Sequence, residues 1–541
     1  VKAFSILNFC MCPSHWPLAL NQHALHDARL ALGVVDHHPV HGGAVVPDDD
    51  VALRPGMAEV MLGLARFGDQ LVQRLGVGEP GVEAVVILGI DDFRAGQAAK
   101  YETFLRPILD RLKQRDGRAP VSIFTCTYAS NDLPQFAAWL REGLSAEVHT
   151  LAHPCPLLQK GSFTNAWDTY HGGVDLLNEL PGNQPVAFRM PCCDSMNSPS
   201  PRFYAEIFNR TSPKGNFLQA DSSVMCLLTD DFFKRSGTNP RPQTPDPIPS
   251  SFRKYFPAQT NALTKKSLAN FGTYIEDYPY PYVINRTCWE FPAMVPSDWE
   301  AFNAHGPNNP ATVADWQLAL DAVVRAQGVF TFIFHPHGWI RADQIIQFID
   351  HAERTHGKKV KFLTFKEAVE RLNRNLLLRT PLWESGRYIQ SVRLLDQNND
   401  GFMDLVINHP TGGSAVRTWN ATESRWEELN DPSRGLNVPS ILWNQPRLHD
   451  GNRSTGCFGS IPGLGDTLML HWICSYDFDQ QNAWTFREGK WEKNRDALNG
   501  PRFVGHGGFE FHPGKVRVVL RDIDRDGKCE LIGGDPSKTA I

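Results

Sequence analysis

Ala84-Val85-Val86-Ile87-Leu88-Gly89-Ile90 runs straight into Asp91-Asp92. Seven apolar residues, rich in branched side chains, are too few for a helix on their own and read as a strand buried on both faces. Two adjacent carboxylates at the end of such a strand repel each other unless a cation or an arginine offsets them. The pair therefore predicts a functional strand end.

The reading extends in both directions. Upstream, Met57, Val60, Met61, Leu64, Phe67, Leu71 and Leu75 recur at three- and four-residue steps and predict an amphipathic helix over 54–75. Downstream, helices are predicted over 101–112, 133–144, 167–180, 345–356 and 365–375, and strands over 121–126, 146–150, 186–189, 329–335 and 360–364. This alternation predicts an α/β fold around a parallel sheet. In such folds functional residues gather at the C-terminal strand ends, where Asp91, Asp92, His149, Arg189 and His335 fall. The stretch 230–257 carries Pro240, Pro242, Pro245, Pro247 and Pro249 and is expected to form a long surface excursion near the site.

Composition narrows the function classes. Of 541 residues, 42% are hydrophobic and 21% charged, which is ordinary globular usage. A net charge of −5 lacks the basic footprint of a nucleic-acid binder. No apolar run is long enough to predict a transmembrane helix. Eleven cysteines without CxxC or zinc-ribbon spacing predict mostly buried thiols with one or two disulfides. The chain opens on Val1, so any export signal is expected upstream. His15, His23, His26, His37, His38 and His41 crowd the first fifty residues without a pattern that assigns them a role.

Near residues 376–386 helical periodicity gives way to short alternating runs, so 386–541 is expected to be an all-β region. Two loops there repeat 126 positions apart: Asp396, Asn398 and Asp400 with Gly401 and Asp404, then Asp522, Asp524 and Asp526 with Gly527 and Glu530. Alternating oxygen donors, a turn glycine and a further carboxylate three residues on suit calcium; metal-free solvated turns are the alternative. Strand-like flanks argue against an EF-hand. The repeat resembles the FG-GAP/VCBS type, which implies propeller-blade-like structure with calcium in the loops. About 160 residues are too few for a seven-bladed propeller, so the region is expected to be a short β-domain or a truncated one.

Four segments carry the chemistry: Gly89-Ile90-Asp91-Asp92-Phe93, His149-Thr150-Leu151-Ala152-His153-Pro154, Phe188-Arg189-Met190-Pro191 and Phe334-His335-Pro336-His337-Gly338. Two histidines four residues apart can meet one metal from a helical turn or from a tight loop. One aspartate plus two histidines leaves coordination positions open, as a hydrolytic metal site needs. The other aspartate is then free to act as general base.

Together, over roughly 80–375, these segments resemble the polysaccharide deacetylase family (NodB homology, carbohydrate esterase 4). The resemblance implies a distorted (β/α)7-8 barrel over 80–376, with 1–79 as an N-terminal extension packed on it. It implies that Asp92, His149 and His153 hold a divalent transition metal, zinc being the first choice. Asp91 would take a proton from the attacking water, Arg189 would hold Asp91 ionised, and His335 would protonate the leaving amine or alcohol. His337 is the competing choice for that acid. Ile90 and Phe93 depart from the family's T-F-D-D-G motif, and Cys192 stands where an aromatic residue usually supports the substrate groove. Gln219-Ala220-Asp221-Ser222-Ser223 resembles the family's D-S-S segment. Pro191, Cys192 and Asp221 are the expected substrate-binding residues, and Trp289 and Trp299 are candidates for its tryptophan motif.

The implied function is a secreted, extracellular or periplasmic, metal-dependent hydrolase that removes N- or O-acetyl groups from a polysaccharide or oligosaccharide. One rival is a related amidohydrolase acting on a small amide or imide. The other is a calcium-dependent carbohydrate-binding or adhesion module with an inactive barrel.

Overall fold

The computed structural model describes residues 77–155, 157–158, 162–193, 203–236, 252–255, 273–284, 288–382, 392–395, 404–409, 413–420, 422–423, 425–428, 453–461, 465–474, 482–487, 490–494, 518–521 and 530–533. The helix expected over 54–75 and the histidine-rich first fifty residues lie outside the described residues.

Strand β1 (Ala84–Phe93) forms where its apolar run predicts and is buried along nearly its whole length. Its neighbours explain that burial. On one edge β11 (Val329–Phe334) pairs in parallel, from Val85 opposite Val329 to Ile90 opposite Phe334. The other edge is divided between β12 (Val360–Leu363), opposite Ala84 to Ile87, and β2 (Val121–Thr125), which takes over from Leu88. From β2 the sheet continues through β3 (Ser145–Val148), β4 (Ala187–Phe188), β5 (Ala220–Asp221), β9 (Cys288–Glu290) and β8 (Tyr282–Ile284). From β11 it continues through β10 (Ala293–Met294), β6 (Met225–Leu227) and β7 (Tyr274–Glu276). Only β8 against β9 is antiparallel. The hydrogen-bonded path ends at β7 and β8, so among the described strands the expected barrel is an open, curled sheet.

Helices α1 (Ala98–Asp116), α2 (Leu133–Glu142), α3 (Phe163–Glu179), α6 (Pro310–Arg325), α7 (Ala342–His351) and α8 (Phe365–Arg371) pack around it. Each buries one stripe; on α1 it is Tyr101, Leu105, Ile108, Leu109 and Leu112.

Three expectations need correction. The helix predicted over 365–375 is α-helical only to Arg371, and Leu372–Leu376 forms a π-helical turn. The helix predicted over 345–356 is α-helical only to His351, and Ala352–His356 forms a π-helical turn. The proline-rich excursion opens as a helix, α4 (Asp230–Arg235), and Phe233, Phe252 and Tyr255 are buried. The Phe233 and Phe252 rings lie 4.9 Å apart. Large apolar rings gain by leaving water, so both described ends of the excursion anchor in the core. Residues 237–251 lie outside the described residues.

Beyond the α/β domain all described elements are antiparallel. Strands β13 (Val392–Leu395), β14 (Asp404–His409), β15 (Gly413–Asn420) and β16 (Arg425–Glu428) form one sheet, and β17 (Arg453–Ile461) to β20 (Lys490–Lys493) form another. β21 (Val518–Arg521) pairs with β22 (Glu530–Gly533). The two calcium-type loops join hairpins of equal register, with Leu395 opposite Asp404 and Arg521 opposite Glu530. The sequence repeat is therefore also a backbone repeat. Asp404 is buried, and its Oδ1 accepts from the Trp419 N–H at 3.3 Å. Asp396, Asn398, Asp400, Asp522, Asp524 and Asp526 lie outside the described residues, as does the Glu530 side chain.

Candidate active site

At the end of β1 the two carboxylates part company. Asp92 adopts φ 71°, a left-handed conformation that aspartate tolerates better than most residues. Asp91 is buried and meets the fully buried Arg189, whose Nη1 donates to Asp91 Oδ1 at 2.6 Å. Ser222 fixes the rest of the guanidinium, accepting from Nε at its carbonyl (3.0 Å) and from Nη2 at its hydroxyl (3.0 Å). The Phe124 ring lies against the guanidinium, 4.1 Å from its centroid. Gly89 makes the room. A Cβ there would lie 2.8 Å from Arg189 Nη1 and 3.0 Å from the Phe332 carbonyl oxygen.

His149 and His153 leave β3 in a tight loop, with Thr150 and His153 both at positive φ. Helix α3 holds that loop. Thr169 Oγ1 accepts from the backbone N–H of Leu151 (3.1 Å) and of Ala152 (2.9 Å). Gly172 and Gly173 let the helix approach, since a Cβ on Gly173 would come within 3.1 Å of Val148. A disulfide, Cys155–Cys192, ties the histidine loop to the segment after Arg189.

His149 Nδ1 lies 2.8 Å from the Arg189 carbonyl oxygen. A carbonyl can only accept, so Nδ1 carries the hydrogen and Nε2 presents its lone pair. That Nε2 is 3.4 Å from Asp92 Oδ1, and His153 Nε2 is 2.7 Å from the same oxygen. Burial opposes ionisation of Asp92, but the surrounding imidazoles hold its carboxyl far below the usual range. Asp92 Oδ1 is nevertheless buried without a hydrogen-bond partner among the described residues. One carboxylate and two imidazole nitrogens lie within 4.8 Å of one another around that orphaned oxygen. This donor set fits a divalent transition metal bound with positions left open.

The last motif closes the other side. His337 Nε2 lies 2.9 Å from Asp92 Oδ2, and His335 Nε2 lies 4.0 Å from it. His335 is backed by Asp298, which starts α5 (Asp298–His305) after the N-cap Ser297. Asp298 Oδ2 accepts from the His335 backbone N–H at 2.7 Å, and Oδ1 faces His335 Nδ1 at 2.8 Å. Burial of the ring disfavours its charge, but the Asp298 carboxylate, with Asp91 and Asp92 behind it, outweighs burial and pushes His335 up to about 9. Burial also raises the Asp298 carboxyl, while the His335 charge and N–H groups pull it down. His335 therefore keeps its proton up to about 9. Trp339 packs against both histidines, its ring 5.0 Å from each.

Asp91, Asp92, His149, His153, Arg189, His335 and His337 are thus gathered at one end of the sheet. Other expected residues fall elsewhere. Asp221 does not reach a groove: it is fully buried, accepting from Tyr204 (2.5 Å), Ser223 Oγ (2.5 Å) and the Ser222 N–H (2.9 Å). Ser223 Oγ accepts from the Met190 N–H, so Asp221 supports the arginine segment from below. Pro191 is buried and the Cys192 sulfur is taken by Cys155. Trp289 is a core residue, and the tryptophan touching the histidines is Trp339. Sequence reasoning missed Asp298, Thr169 and Trp339. The Ser297-x-x-Glu300 capping pattern was a readable sign that a helix starts there with Asp298 at its head.

No protein-family model matches the sequence, and no curated protein matches it. Solved structures do. A candidate polysaccharide deacetylase from Mycobacterium smegmatis matches at 15% identity and TM-score 0.33, over 55% of this chain and 93% of that one. The Puue allantoinase matches at 12% identity and TM-score 0.33, over 55% of this chain and 93% of that one. The peptidoglycan deacetylase PdaC from Bacillus subtilis matches at 14% identity and TM-score 0.28, over 55% of this chain and 94% of that one. At such scores the functional reading rests on the residues themselves.

Proposed function

We propose that this chain is a metal-dependent hydrolase that removes acetyl groups from a polysaccharide or oligosaccharide. One observation carries the reading: the Asp92, His149 and His153 donor set converges beside an arginine-clamped Asp91 and an aspartate-backed His335. Asp92, His149 and His153 would hold a divalent transition metal, which would supply Lewis acidity for the hydrolysis. Asp91 accepts the water's proton, and Arg189 holds that carboxylate in place. His335, kept protonated by Asp298, delivers a proton to the leaving amine or alcohol. His337 and Trp339 stand beside it, their rings in contact with each other and with His335. The Cys155–Cys192 disulfide favours an oxidising compartment, in keeping with a secreted protein.

A second reading has its own support. The Cys192 side chain is committed to a disulfide where the resembled family usually has a groove-supporting aromatic, which favours an altered substrate such as a small amide or imide. Acetate release from acetylated xylan and chitooligosaccharides, set beside hydrolysis of small imides, separates the two. Asp91→Asn should lower turnover about 10²–10⁴-fold while retaining the metal; His149→Ala should lose both. Near-full activity of Asp91→Asn would refute the proposed mechanism.

A further inference from the structure

A second group of metal-type donors lies outside the candidate active site. Asp321 on α6 faces His351, the last residue of α7, and His356, the last residue of the π-helical turn that follows. Both imidazoles place Nε2 2.7 Å from the same oxygen, Asp321 Oδ1. We propose that Asp321, His351 and His356 form a second binding site for a divalent transition metal, one that clasps α6 to α7.

The local backbone accounts for the convergence. In a regular α-helix, residues five apart point about 140° away from each other. A π-helical turn is wider, with i→i+5 hydrogen bonding, and brings residues at that spacing back toward one face. The turn over Ala352–His356 therefore sets His356 beside His351, with ring centroids 6.0 Å apart.

The donors suit the ion. Two imidazole nitrogens and one carboxylate oxygen repeat the set found at Asp92, His149 and His153, and in each case the three donor atoms lie within 4.8 Å of one another. The 2.7 Å approach of His153 to Asp92 is repeated here twice. Tetrahedral zinc needs its donors about 3.3 Å apart, so either site accepts the ion after the rings part by roughly half an ångström. The three side chains are half-buried, at 26%, 16% and 12% exposure, so water can complete the coordination shell. Thr355 Oγ1 lies 3.4 Å from His351 Nδ1 and offers an outer partner for the ring.

The place in the fold indicates a structural role. Helix α6 leads into β11 and α7 leads away from it, so the cluster joins the two helices flanking the strand that ends at Phe334, just before His335. Asp321 comes eight residues before β11 starts, and His351 ends the helix that runs back along the sheet. The cluster therefore lies toward the N-terminal end of the strand, where conserved features of such folds serve stability.

The test counts zinc. Full-length protein is stripped with chelator and titrated with zinc against a chromophoric chelator, alongside Asp321→Asn and His356→Ala, which leave the candidate active site intact. Each variant should bind one equivalent fewer than the parent and keep its hydrolytic rate. In a His149→Ala background, saturating zinc should raise Tm by about 5 °C, and adding Asp321→Asn should abolish that rise. Equal zinc stoichiometry in the parent and both variants would overturn the proposal, as would a Tm rise that survives Asp321→Asn.

Discussion

Arg189 Nη1 and Asp91 Oδ1 meet at 2.6 Å with both side chains buried, and Gly89 leaves the space in which they do so. The ion pair depends on a missing methyl group. Gly89→Ala would drive a Cβ against the guanidinium and the fixed Phe332 carbonyl, at a cost of about 1–3 kcal/mol in overpacking. Urea unfolding should show that loss, and turnover should fall more than metal affinity, because Asp91 is displaced while Asp92 is not.

Removing the arginine is more severe. Arg189→Met leaves a buried carboxylate without its counter-charge, which costs about 3–5 kcal/mol. Arg189→Lys restores the charge but not the three-point fit to Asp91 and Ser222, and should recover stability only in part. Chemical denaturation of both variants checks this ordering.

The Asp298–His335 pair makes a pH prediction. The folded pKa of His335, about 9, lies above its usual 6.5. Its contribution to stability is therefore complete below about 6.5 and is lost as pH rises through about 9. Activity should fall over the same alkaline limb as the proposed proton donor is lost. Asp298→Asn should move that limb toward 6.5 and remove the matching slope from unfolding free energy against pH.

The disulfide should matter to metal affinity as well as stability. Cys155 and Cys192 are separated by 37 positions, a loop whose closure is worth about 3–4 kcal/mol in the chain-entropy model. The Cys155→Ser/Cys192→Ser variant should unfold earlier. It should also bind zinc about tenfold more weakly, because His153 lies two residues from the lost tether.

Thr169→Val tests the other support of the histidine loop. It deletes the hydroxyl that accepts from Leu151 and Ala152 while keeping the shape of the side chain. Metal affinity, read by titration of the metal-free protein, should fall, because the loop carrying both histidines loses two anchoring hydrogen bonds.

Much of this was legible in the sequence because the decisive signals are local. An apolar run ending in two aspartates gave β1, and the short motifs fell at strand ends that the sheet brings together. What was missed depends on distant contacts. Asp298 acts on a histidine 37 positions away, and nothing in its own neighbourhood marks it beyond a helix-cap pattern. Asp221 sits in a polar Asp-Ser-Ser segment that suggests exposure, yet Tyr204 and the two serines satisfy it in the interior. The Cys155–Cys192 pairing has no spacing signature, since a loop and the end of a strand bring the two sulfurs together. The π-helical turn after His351 opens on buried Ala352, in α-helical step with Ile345, Phe348 and Ile349, so apolar spacing does not distinguish it from an α-helix.

The divided edge of β1 bears on how the molecule is made. Ile87 pairs with Leu363, 276 positions later, so the strand bearing both aspartates leaves the ribosome long before one of its partners exists. At ordinary synthesis rates of about 5–20 residues per second, that interval lasts roughly 15–55 s. Throughout it an apolar segment with unpaired edges is available to the wrong neighbours. Nascent chains halted before β12 should therefore engage chaperones or aggregate, and the metal-type donors of β1 and β3 should stay unassembled until translation has passed Leu363.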